Sequence, residues 1–157
     1  MKRLGYSLAA LVFVLDQLSK YWVTSVLDLK TRGYIEVLPV FNLTWVENRG
    51  VSMGLLRADG EVERWLLVVV TLGIAVAVAW WIAREASRVD VAALGLVLGG
   101  ALGNIVDRIR YGYVVDFFHA FWQDHHFYVF NVADAAITGG VLLLLLRALF
   151  TPSTKVA

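Results

Sequence analysis

From Trp65 to Ala83 the chain carries no charged side chain. A helix rises about 1.5 Å per residue, and the hydrocarbon core of a bilayer is about 30 Å thick, so a run of this length crosses a membrane. In lipid the backbone N–H and C=O groups must be satisfied within the segment, which makes such a run a helix. This stretch commits the chain to the bilayer, and the other segments are read relative to it. The composition agrees: 59% of the 157 residues are hydrophobic and 17% are charged, far from the balance of a soluble domain.

Three more apolar segments, at about 4–27, 91–109 and 132–149, stand beside the one at 65–83. Together they predict an all-α membrane protein with a small β element, a four-transmembrane-helix bundle forming a single integral membrane domain over 1–157. Lys2 and Arg3 before the first segment have the look of a secretory leader. Asp16 and Lys20 interrupt that run and no small-residue cleavage site follows, so it is read as a retained span. Between about 28 and 64 the chain alternates in Tyr34–Leu38 and from Phe41 to Val46, punctuated by Pro39, Gly50, Gly54 and Gly60. This pattern predicts a small extramembrane β-cradle. A second external segment, rich in aromatics, covers about 110–130. Four spans place both termini on one side. Lys2, Arg3, Arg84, Arg88, Arg147 and Lys155 face that side; Lys30, Arg32, Arg49, Arg57, Arg64 and Arg110 face the other. The first group sits on short segments, where positive charge has most influence on orientation, so both termini are read as cytoplasmic.

Several chemistries are set aside. There is no cysteine, hence no disulfide, thiolate metal site or cysteine nucleophile. A net charge of +1 gives no electrostatic basis for nucleic-acid binding. His119, His125 and His126 lack metal-ligand spacing and are read as interfacial side chains, so no metal is expected. Ser19 precedes Lys20, but neighbours on a helix do not face each other, which argues against a serine–lysine mechanism.

The charged residues left inside apolar surroundings carry the chemistry. Gly95, Gly99, Gly103 and Asp107 share one helix face, and Gly100, Asn104 and Arg108 share another. Such a small-residue ribbon predicts close helix packing beside the acid and the guanidinium. Asp16 and Lys20, one turn apart, are read either as an internal ion pair that neutralises two costly groups or as a pair that supports the site from behind. Asp107 and Arg108 point in different directions, so each needs another partner, and the planar fork of Arg108 suits a carboxylate or a carbonyl. Asp116 lies between Val114-Val115 and Phe117-Phe118; Asp134 opens the last span, three residues after Asn131. Taken singly, one is a loop acid and the other a helix-terminal acid favoured by the macrodipole. Taken together, they bracket one external segment at one membrane level. Two adjacent carboxylates share a proton, so one can deprotonate water while the other hydrogen-bonds a peptide carbonyl.

These motifs resemble the lipoprotein signal peptidases (signal peptidase II), integral membrane proteases of bacteria. The resemblance rests on Asp16-Gln17-Leu18-Ser19-Lys20, on Asn48-Arg49-Gly50 with Ser52-Met53-Gly54, on Gly99-Gly100-Ala101-Leu102-Gly103-Asn104-Ile105-Val106-Asp107-Arg108, on Val114-Val115-Asp116-Phe117 and on Phe130-Asn131-Val132-Ala133-Asp134. It covers essentially the whole chain. It implies an aspartic endopeptidase of the inner (cytoplasmic) membrane, acting at the outer leaflet on a diacylglyceryl prolipoprotein and cutting before the lipidated cysteine. By similarity Asp116 and Asp134 are catalytic, and Asn48, Asn104, Arg108 and Asn131 line the substrate groove. Asp16, Lys20, Asp107 and Gly100 support it. The resemblance further implies inhibition by the cyclic peptide globomycin, no metal or cofactor, and a short external helix beside the β-cradle. Phe117, Phe118, Phe121 and Trp122 are read either as a lid over the groove or as interfacial anchors. The expected partners are the prolipoprotein and membrane lipid, with the enzyme a monomer. The rival readings are a small proton-coupled membrane carrier relaying through Asp16, Asp107 and Asp134, and a lipid-binding subunit whose acids are structural. The absence of inverted repeats argues against the carrier.

Overall fold

The computed structural model describes residues 1–50, 60–123 and 125–150. Four long helices carry the fold: α1 (Lys2–Tyr21), α3 (Glu61–Arg84), α4 (Arg88–Tyr111) and α5 (Val132–Phe150). A π-helical turn, Trp22–Val26, extends α1, and a short helix α2 (Leu29–Arg32) follows it. Helix ends obey local chemistry. Glu61 and Glu63 open α3, where the helix dipole favours acids. The Ser87 hydroxyl accepts from Asp90 N–H to cap α4, and Gly112, at φ 81°, closes it in the left-handed conformation that glycine adopts without cost.

Among the described residues α3, α4 and α5 are long and apolar enough to cross a membrane. Their burial differs in a way that orders the bundle. Of the most apolar stretch, 56% is buried in α4, against 17% in α3 and 11% in α5. Helix α4 is therefore the central helix, packed against α1, α3 and α5. Its glycines explain how. A Cβ added at Gly95 would lie 2.5 Å from the carbonyl oxygen of Gly5, and one at Gly99 would lie 2.5 Å from that of Ala9. That stripe faces α1, whereas Gly100 abuts the backbone of Ala133 on α5. Ala9, Val68, Ala75, Ile82, Val91, Leu94, Leu98 and Ile105 fill the bundle interior.

Four antiparallel strands form one sheet in the order β1-β2-β3-β4: β1 (Tyr34–Leu38), β2 (Phe41–Asn48), β3 (Val114–Trp122) and β4 (His125–Phe130). The cradle expected within 28–64 thus supplies half the sheet. The 110–130 segment, expected as a short external helix or lid, is instead a strand hairpin pairing with β2. Its pattern concealed this because Val114, Val115, Asp116 and Phe117 are all buried, so β3 lacks the polar alternation of a half-buried strand. Val115 and Phe117 enter a core with Val23, Leu29 and Leu43, while Val114 and Asp116 turn the opposite way, toward the helices. Phe117 is therefore a core residue and no part of a lid. Phe118 packs against Phe41 and Phe130, and Trp122 is exposed at the end of β3.

The closeness of α1 and α4 yields a prediction. Gly99→Ala forces two backbones apart, and overpacking of this kind typically costs about 1–3 kcal/mol. The melting temperature in detergent should fall clearly below that of Gly73→Ala, since among the described residues a Cβ at Gly73 meets nothing within 4 Å.

Candidate active site

The site begins with the chain's need to close the N-terminus of α5. A helix start leaves backbone N–H groups unpaired. Asn131 and Asp134 satisfy each other: Asp134 N–H donates to Asn131 Oδ1 at 2.9 Å, and Asn131 N–H donates to Asp134 Oδ2 at 3.3 Å. This reciprocal capping box orients the Asn131 amide. With Oδ1 engaged, Nδ2 points inward and donates to Asp116 Oδ1 at 2.6 Å. One asparagine therefore touches both acids.

Asp116 reaches this point through strand register. Val46 lies opposite Asp116 and Asn48 opposite Val114. Asn48 Nδ2 donates to Asp116 Oδ2 at 3.0 Å, while its Oδ1 accepts from Gly50 N–H at 3.1 Å. From α4, Asn104 Nδ2 donates to Asp134 Oδ1 at 2.8 Å. Every carboxylate oxygen of the two acids thus receives an N–H. Burial, with the charge of nearby Asp134, pushes the Asp116 carboxyl from 3.8 up to about 7, against the pull of the Asn48 and Asn131 donors.

A cavity of about 230 Å³ adjoins Asp134. Asp134, Asn48, Asn104 and Arg108 give it a polar end; Leu67, Thr71, Ile74, Val97, Ala101 and Ile137 make the rest largely apolar. Arg108 is buried, with Nη2 donating to Gly50 O at 3.0 Å and Nη1 to Asn104 O at 3.5 Å, and among the described residues its Nε has no partner.

Comparison with known proteins shows the family. The model of the family described as signal peptidase (SPase) II matches residues 8–150. The chain belongs to the signal peptidase II family. Among its relatives, the lipoprotein signal peptidase of Rhizorhabdus wittichii is 56% identical over 98% of this chain and 90% of its own length. That of Sphingopyxis alaskensis is 53% identical over 94% and 86%. Two solved bacterial membrane enzymes, determined by the in meso method, share the fold at 30% identity. Their TM-scores are 0.83 and 0.80, over 96% and 94% of this chain and 90% and 94% of theirs. The protein is thus a membrane peptidase.

In this signal peptidase II family member the structure gathers Asp116, Asp134, Asn48, Asn104, Arg108 and Asn131 in one place, with Asp16, Lys20 and Asp107 behind them. Behind Asn104 lies the ammonium of Lys20, 2.8 Å from Asp16 Oδ2, 2.8 Å from Asp107 Oδ2 and 3.2 Å from Asn104 Oδ1. The partner that Asp107 needed is thus Lys20, and the partners of Arg108 are the carbonyls of Gly50 and Asn104. Gly100 lets α4 approach Ala133, next to Asp134. Ser19 donates to the Asp16 carbonyl at 2.8 Å, within its own helix. Ser52, Met53 and Gly54 lie outside the described residues. Sequence reasoning missed two contributors. Gln17 donates to Asp16 Oδ2 at 3.2 Å and to Asp107 Oδ1 at 3.1 Å; its place in an apolar helix beside Asp16 was the available signal. The Gly50 carbonyl that anchors Arg108 is a backbone group, which no side-chain pattern reveals.

The raised Asp116 carboxyl carries a stability signature. Between pH 3.8 and about 7 the folded state binds more protons at this group than the unfolded chain, so stability falls as pH rises through that window. The melting temperature in detergent should therefore decrease from about pH 4 to 7, and Asp116→Asn should flatten this slope. An unchanged slope in the variant would show that Asp116 titrates normally.

Proposed function

We propose that the protein is an aspartic endopeptidase that removes signal peptides from diacylglyceryl-modified prolipoproteins, cutting before the lipidated cysteine. The observation that carries this reading is Asn131 joined to both Asp116 and Asp134, with Asp134 lining the polar end of an apolar cavity. The names of the relatives, lipoprotein signal peptidases, supply the substrate class.

The chemistry follows from the difference between the acids. Buried Asp116 holds the shared proton, and Asp134, which lines the cavity, is the base. Asp134 takes a proton from water as the water oxygen bonds to the scissile carbonyl carbon. Asp116 gives its proton to the carbonyl oxygen, and a tetrahedral intermediate forms. On its collapse the C–N bond breaks, Asp134 passes its proton to the departing amine, and Asp116 recovers its own. General acid–base assistance of this kind contributes about a hundred- to ten-thousandfold in rate. Arg108 holds the peptide backbone, and the apolar walls of the cavity receive acyl chains.

The same reading makes α1 the fourth span. Asp16 and Lys20 point inward and are buried, while Leu11, Val14, Leu15 and Leu18 are exposed on its outer face, the distribution of a lipid-facing helix. Four crossings put both termini on one side, and the basic residues on the short segments favour the cytoplasm for it. The sheet, which connects α1 to α3 and α4 to α5, then lies at the outer leaflet of the inner membrane with the acids.

Asp116→Asn and Asp134→Asn, purified separately in detergent, should each lose cleavage of a lipidated precursor by at least about a hundredfold while remaining folded and binding the precursor. Cleavage by either variant at near wild-type rate would rule out the paired-acid mechanism.

A further inference from the structure

Asn104 meets different chemistry at its two ends. Oδ1 accepts from Lys20 Nζ at 3.2 Å and from Asn131 Nδ2 at 3.2 Å, and Nδ2 donates to Asp134 Oδ1 at 2.8 Å. An ammonium has three donors and no acceptor. With the amide reversed, an NH₂ would face that ammonium and an oxygen would face a carboxylate. Lys20 therefore dictates which end of Asn104 looks at Asp134.

The three donors of Lys20 have three acceptors: Asp16 Oδ2, Asp107 Oδ2 and Asn104 Oδ1. Both carboxylates are themselves tied to backbone. Asp16 Oδ1 accepts from Ala133 N–H at 3.0 Å, immediately before Asp134, and Asp107 Oδ2 accepts from Val115 N–H at 3.1 Å, immediately before Asp116. One cation thus reaches the main chain beside each acid and the amide that serves Asp134.

We infer that Lys20 is a positioning residue for the reaction: it orients the Asn104 NH₂ toward Asp134 and, through Asp16 and Asp107, aligns the backbone segments that carry the acid pair. This rests on the reading of Asp116 and Asp134 as the catalytic pair. A buried cation that only neutralised its neighbours would matter for folding; one that directs Asn104 matters for turnover. The charged groups around it are Asp16 on its own helix, Asp107 and Arg108 on α4, Asp134 on α5 and Asp116 on β3.

The test uses the full chain in detergent, a lipidated precursor, and kcat referred to folded enzyme. Lys20→Met should lower kcat about ten- to hundredfold, the worth of a hydrogen bond to a charged group, with KM little changed. The acid limb of the kcat profile should move to higher pH, because the carboxylates lose a cation and a directed donor. The double variant Lys20→Met/Asp107→Asn removes a buried negative charge along with the positive one. It should regain thermal stability without regaining kcat, and it decides the matter where the single variant folds poorly. Lys20→Arg, also a cation with donors only, should retain more kcat than Lys20→Met. Wild-type kcat and an unmoved pH profile in folded Lys20→Met, recovery of kcat with stability in the double variant, or equal losses in Lys20→Arg and Lys20→Met would each overturn the inference. Inactive Asp116→Asn and Asp134→Asn beside a fully active Lys20→Met would sink this inference alone. Active aspartate variants would sink the catalytic reading beneath it.

Discussion

An ammonium buried among helices is tolerated only when its charge is answered locally, because the effective penalty for taking an ion out of water remains several kcal/mol even after relaxation. Lys20 is answered by Asp16 from its own helix and Asp107 from α4. Neither α1 nor α4 can slide without stranding one of these groups. The pair of contacts fixes the register of the two helices, and Gly95 and Gly99 let them come close enough to make it. The position of Asn104, and through it the environment of Asp134, follows from that register.

The acids themselves are held differently. Asn48, Asn104 and Asn131 reach them through neutral amides. A cation bonded to either acid would favour its ionisation and work against the shared proton of the proposed mechanism. Amides supply direction without that charge. Arg108 lies within electrostatic range of both acids, yet its hydrogen bonds go to the carbonyls of Gly50 and Asn104. The strong cation of the network, Lys20, stands one residue behind.

Asp134 and Asn131 show how one local rule serves two ends. Their reciprocal bonds close the start of α5 as a polar pair closes many helices. The same bonds turn Asn131 Nδ2 onto Asp116, so helix capping and site assembly are a single event. The sequence placed Asp134 at a helix start three residues after Asn131 but did not pair the two; the glycine stripes of α4 and the Asp16–Lys20 turn were legible from spacing, because side chains three or four residues apart share a helix face whatever surrounds them.

What lay hidden was long-range or backbone in nature. Strand β3 escaped notice because burial on both faces erased its alternation, and its pairing with β2 joins segments separated by two membrane helices. The Gly50 carbonyl under Arg108 leaves no trace in side-chain identity. By itself the sequence determined the membrane setting, the helical spans and which polar groups had to find partners inside them, since apolar length and the cost of unpaired charge are local properties of the chain. Only the tertiary structure decided which partner each group found: Lys20 for Asp107, Asn48 for Asp116, Asn104 for Asp134. Those choices depend on helix register and strand pairing, which are set by contacts between residues far apart along the polymer.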